Sequence, residues 1–330
     1  MKESTLIGRS TSHPPDEAQR AATHHVYWRL LENCNFSCPY CFRDGIDPNH
    51  GHPDASRGRY PAEQLAGFFD RTGFKWRILL TGGEPFLYPD IIELAVALTR
   101  NHELSVNTNL STKNVNAFAD SVSPTAVHSI YASLHPDERE KIPGGEERFL
   151  ERILLLQDRG FNVKLVVVTY PPLLPRLLEY KEHYERGGVR HFSIKTFRGI
   201  YQGKLYPRSY TAAERAFIRQ HAISRYESDT VDERLGFFGR RCVSGHSAFQ
   251  MDALGNLTRC NTLAGSYGNL FAGTYRFDRR PRPCPIAKCG CPYQGLRYVQ
   301  ADSAGWPSVL REALAYAPRR VLNRALRAFR

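Results

Sequence analysis

Three cysteines crowd one short stretch of this 330-residue chain, Cys34-x3-Cys38-x2-Cys41, in the run LENCNFSCPYC that begins at Leu31. Three thiolates at this spacing can converge on one face of an iron–sulfur cube. They hold three of its irons and leave the fourth without a protein ligand, open to a substrate or cofactor. Tyr40 adds an aromatic face beside the third cysteine. Structural zinc is the competing chemistry, since cysteine clusters of intracellular chains often hold it. A zinc site wants a fourth ligand at matching spacing. The nearest candidates, His50 and His52, stand in an irregular loop without a finger-like pattern, and with Asp54 they read as a solvated turn.

The stretch resembles the Cx3CxΦC signature of radical S-adenosylmethionine (radical SAM) enzymes. The resemblance implies a 4Fe–4S cluster on Cys34, Cys38 and Cys41, with S-adenosylmethionine (SAM) chelating the open iron through its amino and carboxylate groups. One electron, from a donor such as flavodoxin or ferredoxin, then cleaves SAM to methionine and a 5′-deoxyadenosyl radical, which abstracts hydrogen from a substrate.

These groups need a scaffold, and residues 25–200 alternate strand-like and helix-like segments, as a parallel sheet with crossover helices does. Strands are expected at 25–33, 76–83, 104–110, 127–136, 163–170 and 191–197, with amphipathic helices between them and a last helix near 212–226. Six β–α units are too few for an eight-stranded barrel. They match the partial (β/α)6 barrel of the radical SAM family, and the resemblance covers residues 25–230. In α/β barrels ligands collect at the C-terminal strand ends. The cysteine loop falls after the first strand, as that rule requires.

Thr81-Gly-Gly-Glu-Pro follows the second strand. Glycines let a backbone approach a ligand closely. The run resembles the family element that binds the SAM amino group, so that role is carried to Gly82, Gly83, Glu84 and Pro85. Thr108 and Asn109 resemble a third-strand Thr-Asn element, although Leu110 stands where glycine is common. Ser133 matches a fourth-strand serine that contacts SAM. Lys195, ending the sixth strand, could pair with the methionyl carboxylate or an anionic substrate. His135 is read as a structural turn residue.

A second cysteine set lies downstream. Cys242 precedes a hairpin-like segment, Cys260 ends it, and Cys284, Cys289 and Cys291 follow. The layout resembles the twitch (SPASM-like) module, which implies an auxiliary 4Fe–4S cluster; zinc fits the same ligands by chemistry alone. Five cysteines for four positions leave one over. A spare thiol could return a hydrogen atom to a substrate radical, as in radical SAM epimerases, or could simply be buried.

The expected organisation is a polar tail (1–24), a radical SAM core (25–230), an auxiliary-cluster module (231–300) and a basic helix (301–330). Net charge is +12, and the last thirteen residues carry five arginines and no acid. That tail reads as a helix docked by an apolar stripe, with an acidic or anionic partner as the alternative. No apolar run is long enough to span a bilayer. Neither a signal sequence nor a disulfide-rich pattern is present, which fits the cytoplasm. The resulting expectation is a radical SAM oxidoreductase or epimerase that dehydrogenates, epimerises or cross-links a peptide or small molecule. No recognisable leader-peptide-binding segment precedes the barrel, which favours a small substrate; the basic charge favours an acidic peptide or a phosphorylated compound. The rivals are a radical SAM RNA-modifying enzyme, which lacks a separate RNA-binding domain here, and a zinc-stabilised nucleic-acid-binding protein. The latter leaves the GGEP turn and six β–α units unexplained.

Overall fold

The computed structural model describes residues 23–41, 60–222, 224–260, 262–286 and 299–303. The tail, the histidine-rich loop, Cys289, Cys291 and the basic C-terminal segment lie outside them.

The core alternates β1 (His24–Leu31), α1 (Ala62–Asp70), β2 (Trp76–Gly82), α2 (Ile91–Thr99), β3 (Glu103–Thr108), α3 (Asn114–Ser121) and β4 (Val127–Leu134). A short α4 (Pro136–Arg139) and the longer α5 (Gly145–Asp158) lead to β5 (Val163–Val168), α6 (Leu177–Arg186) and β6 (Phe192–Lys195). All six expected strands are present. They lie in chain order, each parallel to the next. This is the open (β/α)6 arrangement.

Alternation along the strands separates the two faces of the sheet. In β5, Val163, Leu165 and Val167 are buried while Lys164, Val166 and Val168 are half-buried; in β6, Phe192 and Ile194 are buried and Lys195 is exposed. The buried face packs on helices. Phe149, Ile153 and Leu156 of α5 recur at helical spacing and are fully buried in that core. Each such side chain contributes roughly 1.5–3 kcal/mol. The half-buried face lines the concave side.

After β6 come a small hairpin, β7 (Gly199–Tyr201) and β8 (Lys204–Tyr206), and two helices, α7 (Ala212–His221) and α8 (Arg225–Val231). Sequence periodicity suggests a single helix here. The chain breaks instead, because Ser224 caps a new helix by accepting from the Glu227 backbone N–H at 3.4 Å. β9 (Arg240–Cys242) precedes the expected hairpin, β10 (Ala248–Met251) and β11 (Asn256–Cys260). A further strand, β12 (Leu263–Asn269), then precedes β13 (Arg282–Pro283) and β14 (Val299–Ser303).

The hairpin does not stand apart from the core. β10 pairs in parallel with β1, so the sheet runs β12-β11-β10-β1-β2-β3-β4-β5-β6. The physical gain is plain: β10 covers the polar backbone edge that β1 would otherwise expose. The boundary expected near residue 231 therefore falls within a region whose strands extend the core sheet. β13, β9 and β14 form a separate three-stranded sheet. Among the described residues, no helix is long and apolar enough to cross a membrane.

Candidate active site

The cysteine loop leaves the C-terminal end of β1. Cys34 is exposed, Cys38 buried and Cys41 half-buried, and the Cys41 N–H donates to the Cys38 carbonyl at 3.0 Å, closing the turn. The GGEP turn holds this loop by backbone contact. The Gly83 N–H donates to the Leu31 carbonyl and the Glu84 N–H to the Asn33 carbonyl, both at 2.9 Å. No side chain fits between them. A Cβ on Gly83 would stand 1.8 Å from the Asn33 oxygen, and one on Gly82 2.2 Å from the Leu31 oxygen. Gly82 also has φ +125°, which disfavours other residues. The two glycines thus serve the junction between β2 and the cysteine loop.

Glu84 is 1% exposed. One carboxylate oxygen accepts from the Thr108 hydroxyl (2.7 Å) and the Phe86 N–H (3.0 Å), the other from the Asn109 N–H (2.6 Å). Burial pushes its carboxyl up to about 7 against the pull of these bonds and of Arg139. Its side chain is therefore engaged in tying β2 to the end of β3, whereas the sequence reading aimed it at an ammonium. Buried Pro85 starts the 3-10 turn that follows. The Asn109 amide reaches Asn35 at 3.1 Å and lies 4.0 Å from the Cys34 sulfur. Leu110 adopts φ +52° and is fully buried. Glycine would suit that backbone, but apolar packing holds leucine there.

Helix α4 closes the loop from the other side. His135 Nδ1 lies 3.3 Å from the Cys38 sulfur and 3.0 Å from the Tyr40 hydroxyl. Glu138 accepts from the Ser37 N–H at 3.1 Å. Buried Arg139 donates to the carbonyls of Asn109 and Ser133. Burial, reinforced by Arg139, brings the His135 imidazole down to about 3. Tyr40 stacks on His135 and meets Tyr170 at 4.8 Å between centroids; burial raises its phenol, keeping it neutral. Sequence reasoning left His135 as a turn residue and missed Glu138 and Arg139. The available signal was a run of charge, His-Pro-Asp-Glu-Arg, directly at a barrel strand's active end.

Ser133 is half-buried, on the open face of β4. Lys195 ends β6 on the same face, two strands away, with its side chain exposed. Desolvation by the surrounding protein lowers its ammonium pKa; Glu227 opposes the shift and Arg198 adds to it.

The donor set suits an iron–sulfur cluster. Burial first, then the charges of Glu138, Cys34 and Cys41, push the Cys38 thiol up to about 12. The three thiols are thus near enough to repel one another, and a cationic metal reverses that balance. Among the described residues no three Cys, His, Asp or Glu side chains converge as ligands of a single metal ion.

A second gathering lies beside β10. Cys242 is buried, and Cys260 and Cys284 pack on the small core of Phe237 and Ala248 with Val243. Cys242 faces Arg282 across β9–β13, and the Cys284 N–H donates to the Arg240 carbonyl at 2.9 Å. Three of the five later cysteines therefore share one corner, and Cys289 and Cys291 lie outside the described residues.

Strand order, cysteine loop and GGEP turn define a radical SAM barrel. Residues 28–186 match the radical SAM superfamily model, and the chain belongs to that superfamily of enzymes, whose cofactors are SAM and a 4Fe–4S cluster. It is 30% identical over 155 residues to GTP 3′,8-cyclase of Haemophilus ducreyi, covering 45% of this chain and 44% of that protein. It is 29% identical over 153 residues to GTP 3′,8-cyclase of Microcystis aeruginosa, covering 43% and 46%. The chain thus spans less than half the length of these two relatives. Among solved structures, Streptococcus suis SuiB bound to S-adenosylmethionine gives a TM-score of 0.51 at 16% identity, over 76% of this chain and 64% of that one. Native anSMEcpe with bound AdoMet and Kp18Cys peptide gives 0.53 at 14%, over 92% and 99%. Both likenesses concern the fold.

Proposed function

We propose that Cys34, Cys38 and Cys41 carry the 4Fe–4S cluster, and that SAM lies over it against the Gly82-Gly83 turn, with Tyr40, Asn109 and Ser133 around it. When bound, the cluster supplies the electron that splits SAM into methionine and a 5′-deoxyadenosyl radical, which takes hydrogen from a peptide or small-molecule substrate. The carrying observation is the backbone junction: Gly83 and Glu84 donate to the carbonyls of Leu31 and Asn33, directly before Cys34. Residues 82–85 set the floor of the pocket, Glu84 and Thr108 fix the end of β3, and the concave face admits substrate from the side of Lys195. Cys242, Cys260 and Cys284, with Cys289 or Cys291, would hold an auxiliary cluster beside it. The cytoplasm suits such chemistry, because its thiols stay reduced.

A second reading of the substrate is a nucleotide such as GTP. It is favoured by the names of the relatives matched over the core and by the lysine, Lys195, that ends β6 on the open face of the sheet. The common step is tested first. Anaerobically reconstituted protein with dithionite and SAM releases 5′-deoxyadenosine, and the triple change Cys34→Ala, Cys38→Ala, Cys41→Ala abolishes this with the loss of one cluster's iron. SAM cleavage surviving in that variant would overturn the assignment.

A further inference from the structure

We infer that His135 donates a hydrogen bond from Nδ1 to the Cys38 sulfur and thereby raises the reduction potential of the cluster that Cys38 carries. The inference rests on the cluster assignment above. Its geometric basis is independent of it: the Nδ1–sulfur distance is 3.3 Å, and three features fix the ring. Tyr40 stacks on one face at 5.8 Å between centroids, and Phe36 meets the ring edge-on at 5.8 Å and 88°. The His135 backbone carbonyl accepts from the N–H groups of Glu138 and Arg139 at 3.2 and 3.1 Å, so the residue is anchored at the start of α4.

The direction of the bond follows from valence. A cysteine bound to iron is a thiolate with no hydrogen, so it can only accept. Nδ1 must then carry the proton, and the Tyr40 oxygen, 3.0 Å from the same nitrogen, shares it or turns aside. An N–H dipole aimed at a cluster sulfur stabilises the extra negative charge of the reduced state. Hydrogen bonds to the sulfurs are among the factors that set cluster potentials. A reaction that begins with a difficult electron transfer gains driving force for reducing its cluster in this way. His135 is thus a positioning residue, acting on SAM only through Cys38.

The test is an EPR-monitored redox titration of reconstituted full-length protein, in which the active-site signal is recognised by its response to added SAM. His135→Phe keeps an aromatic ring and removes the donor. At a fixed solution potential its reduced-to-oxidised ratio should fall about tenfold, a shift of about 59 mV for one electron. His135→Asn places an amide N–H on the same side-chain branch as Nδ1 and should recover most of that loss. A wild-type ratio in a His135→Phe protein with full iron content overturns the inference, as does an Asn variant that behaves like Phe. The unsubstituted protein provides a check that needs no variant to fold: 15N-labelled histidine should produce a weak nitrogen coupling on the SAM-responsive signal. Its absence rejects the bond. If wild-type protein shows no SAM-responsive cluster at all, the cluster assignment fails and the inference falls with it.

Discussion

Replacing Gly83 by alanine puts a methyl carbon 1.8 Å from the Asn33 carbonyl oxygen and 2.9 Å from the Cys34 nitrogen. Side chains do not approach within 3.0 Å of such atoms, so the cysteine loop must retreat by about 1.2 Å. That retreat breaks the Gly83–Leu31 and Glu84–Asn33 hydrogen bonds, whose loss costs roughly 1–3 kcal/mol together. It also shifts Cys34 relative to Cys38 and Cys41, and misplacement by about 1 Å is enough to cost about 100-fold in rate. The expected result is loss of the active-site iron, measured as iron and acid-labile sulfide per chain after anaerobic reconstitution, with 5′-deoxyadenosine release down at least about 100-fold. Gly73→Ala is the control. Its φ is +72° and nothing lies within 4 Å of the new carbon, so it carries backbone strain of about 1–2 kcal/mol without any clash and leaves iron untouched. A Gly83→Ala protein with wild-type iron and wild-type SAM cleavage would refute the claim that the glycines exist to seat the cysteine loop.

Glu84→Gln tests the buried carboxyl. Its native value of about 7 lies above the ordinary 4.5, so the stability it contributes is fully present below 4.5 and is lost as pH rises through 7. In urea unfolding, wild type minus variant stability should therefore decline by about 3 kcal/mol across that window; a pH-independent difference would show that Glu84 titrates normally. Cys242→Ala, Cys260→Ala and Cys284→Ala should each lower iron by up to one cluster and weaken the C-terminal fold, because metal binding contributes folding energy. Full iron after any of them removes that cysteine from the ligand set. Changed singly, Cys289 and Cys291 should differ, the ligand losing iron and the spare retaining it.

The strands were legible because burial on one face leaves a strong trace. Runs such as Val163-Lys-Leu-Val-Val-Val alternate buried with half-buried positions, and the loops after them carry the punctuation of glycine and proline. The thiols were legible for a different reason: ligands close in sequence must be close in space. The parallel pairing of β10 with β1 left no comparable mark. It joins residues 25 and 248, and neither strand's own pattern names its neighbour.

The same limit separates the parts of the site that sequence reading placed well from those it did not. Gly82 and Gly83 announce themselves by residue type, yet the type does not say what approaches them. Sequence reasoning supplied a ligand, and the structure supplies the carbonyls of Leu31 and Asn33. Glu84 was given a part in binding the SAM amino group through the GGEP resemblance, but the Phe86 N–H, the Thr108 hydroxyl and the Asn109 N–H all donate to its buried carboxylate. His135 shows the limit most clearly. It meets Cys38 across 97 residues of sequence, Glu138 meets Ser37 across 101, and Arg139 meets Asn109 across 30. Side chains from one turn of helix thus hold the cysteine loop and the ends of two strands together. Such a clamp is created by closure of the barrel, and only the folded chain brings its pieces into contact. The residues that sequence identifies are those whose own chemistry is unusual; the residues that place them are ordinary until the strands are side by side.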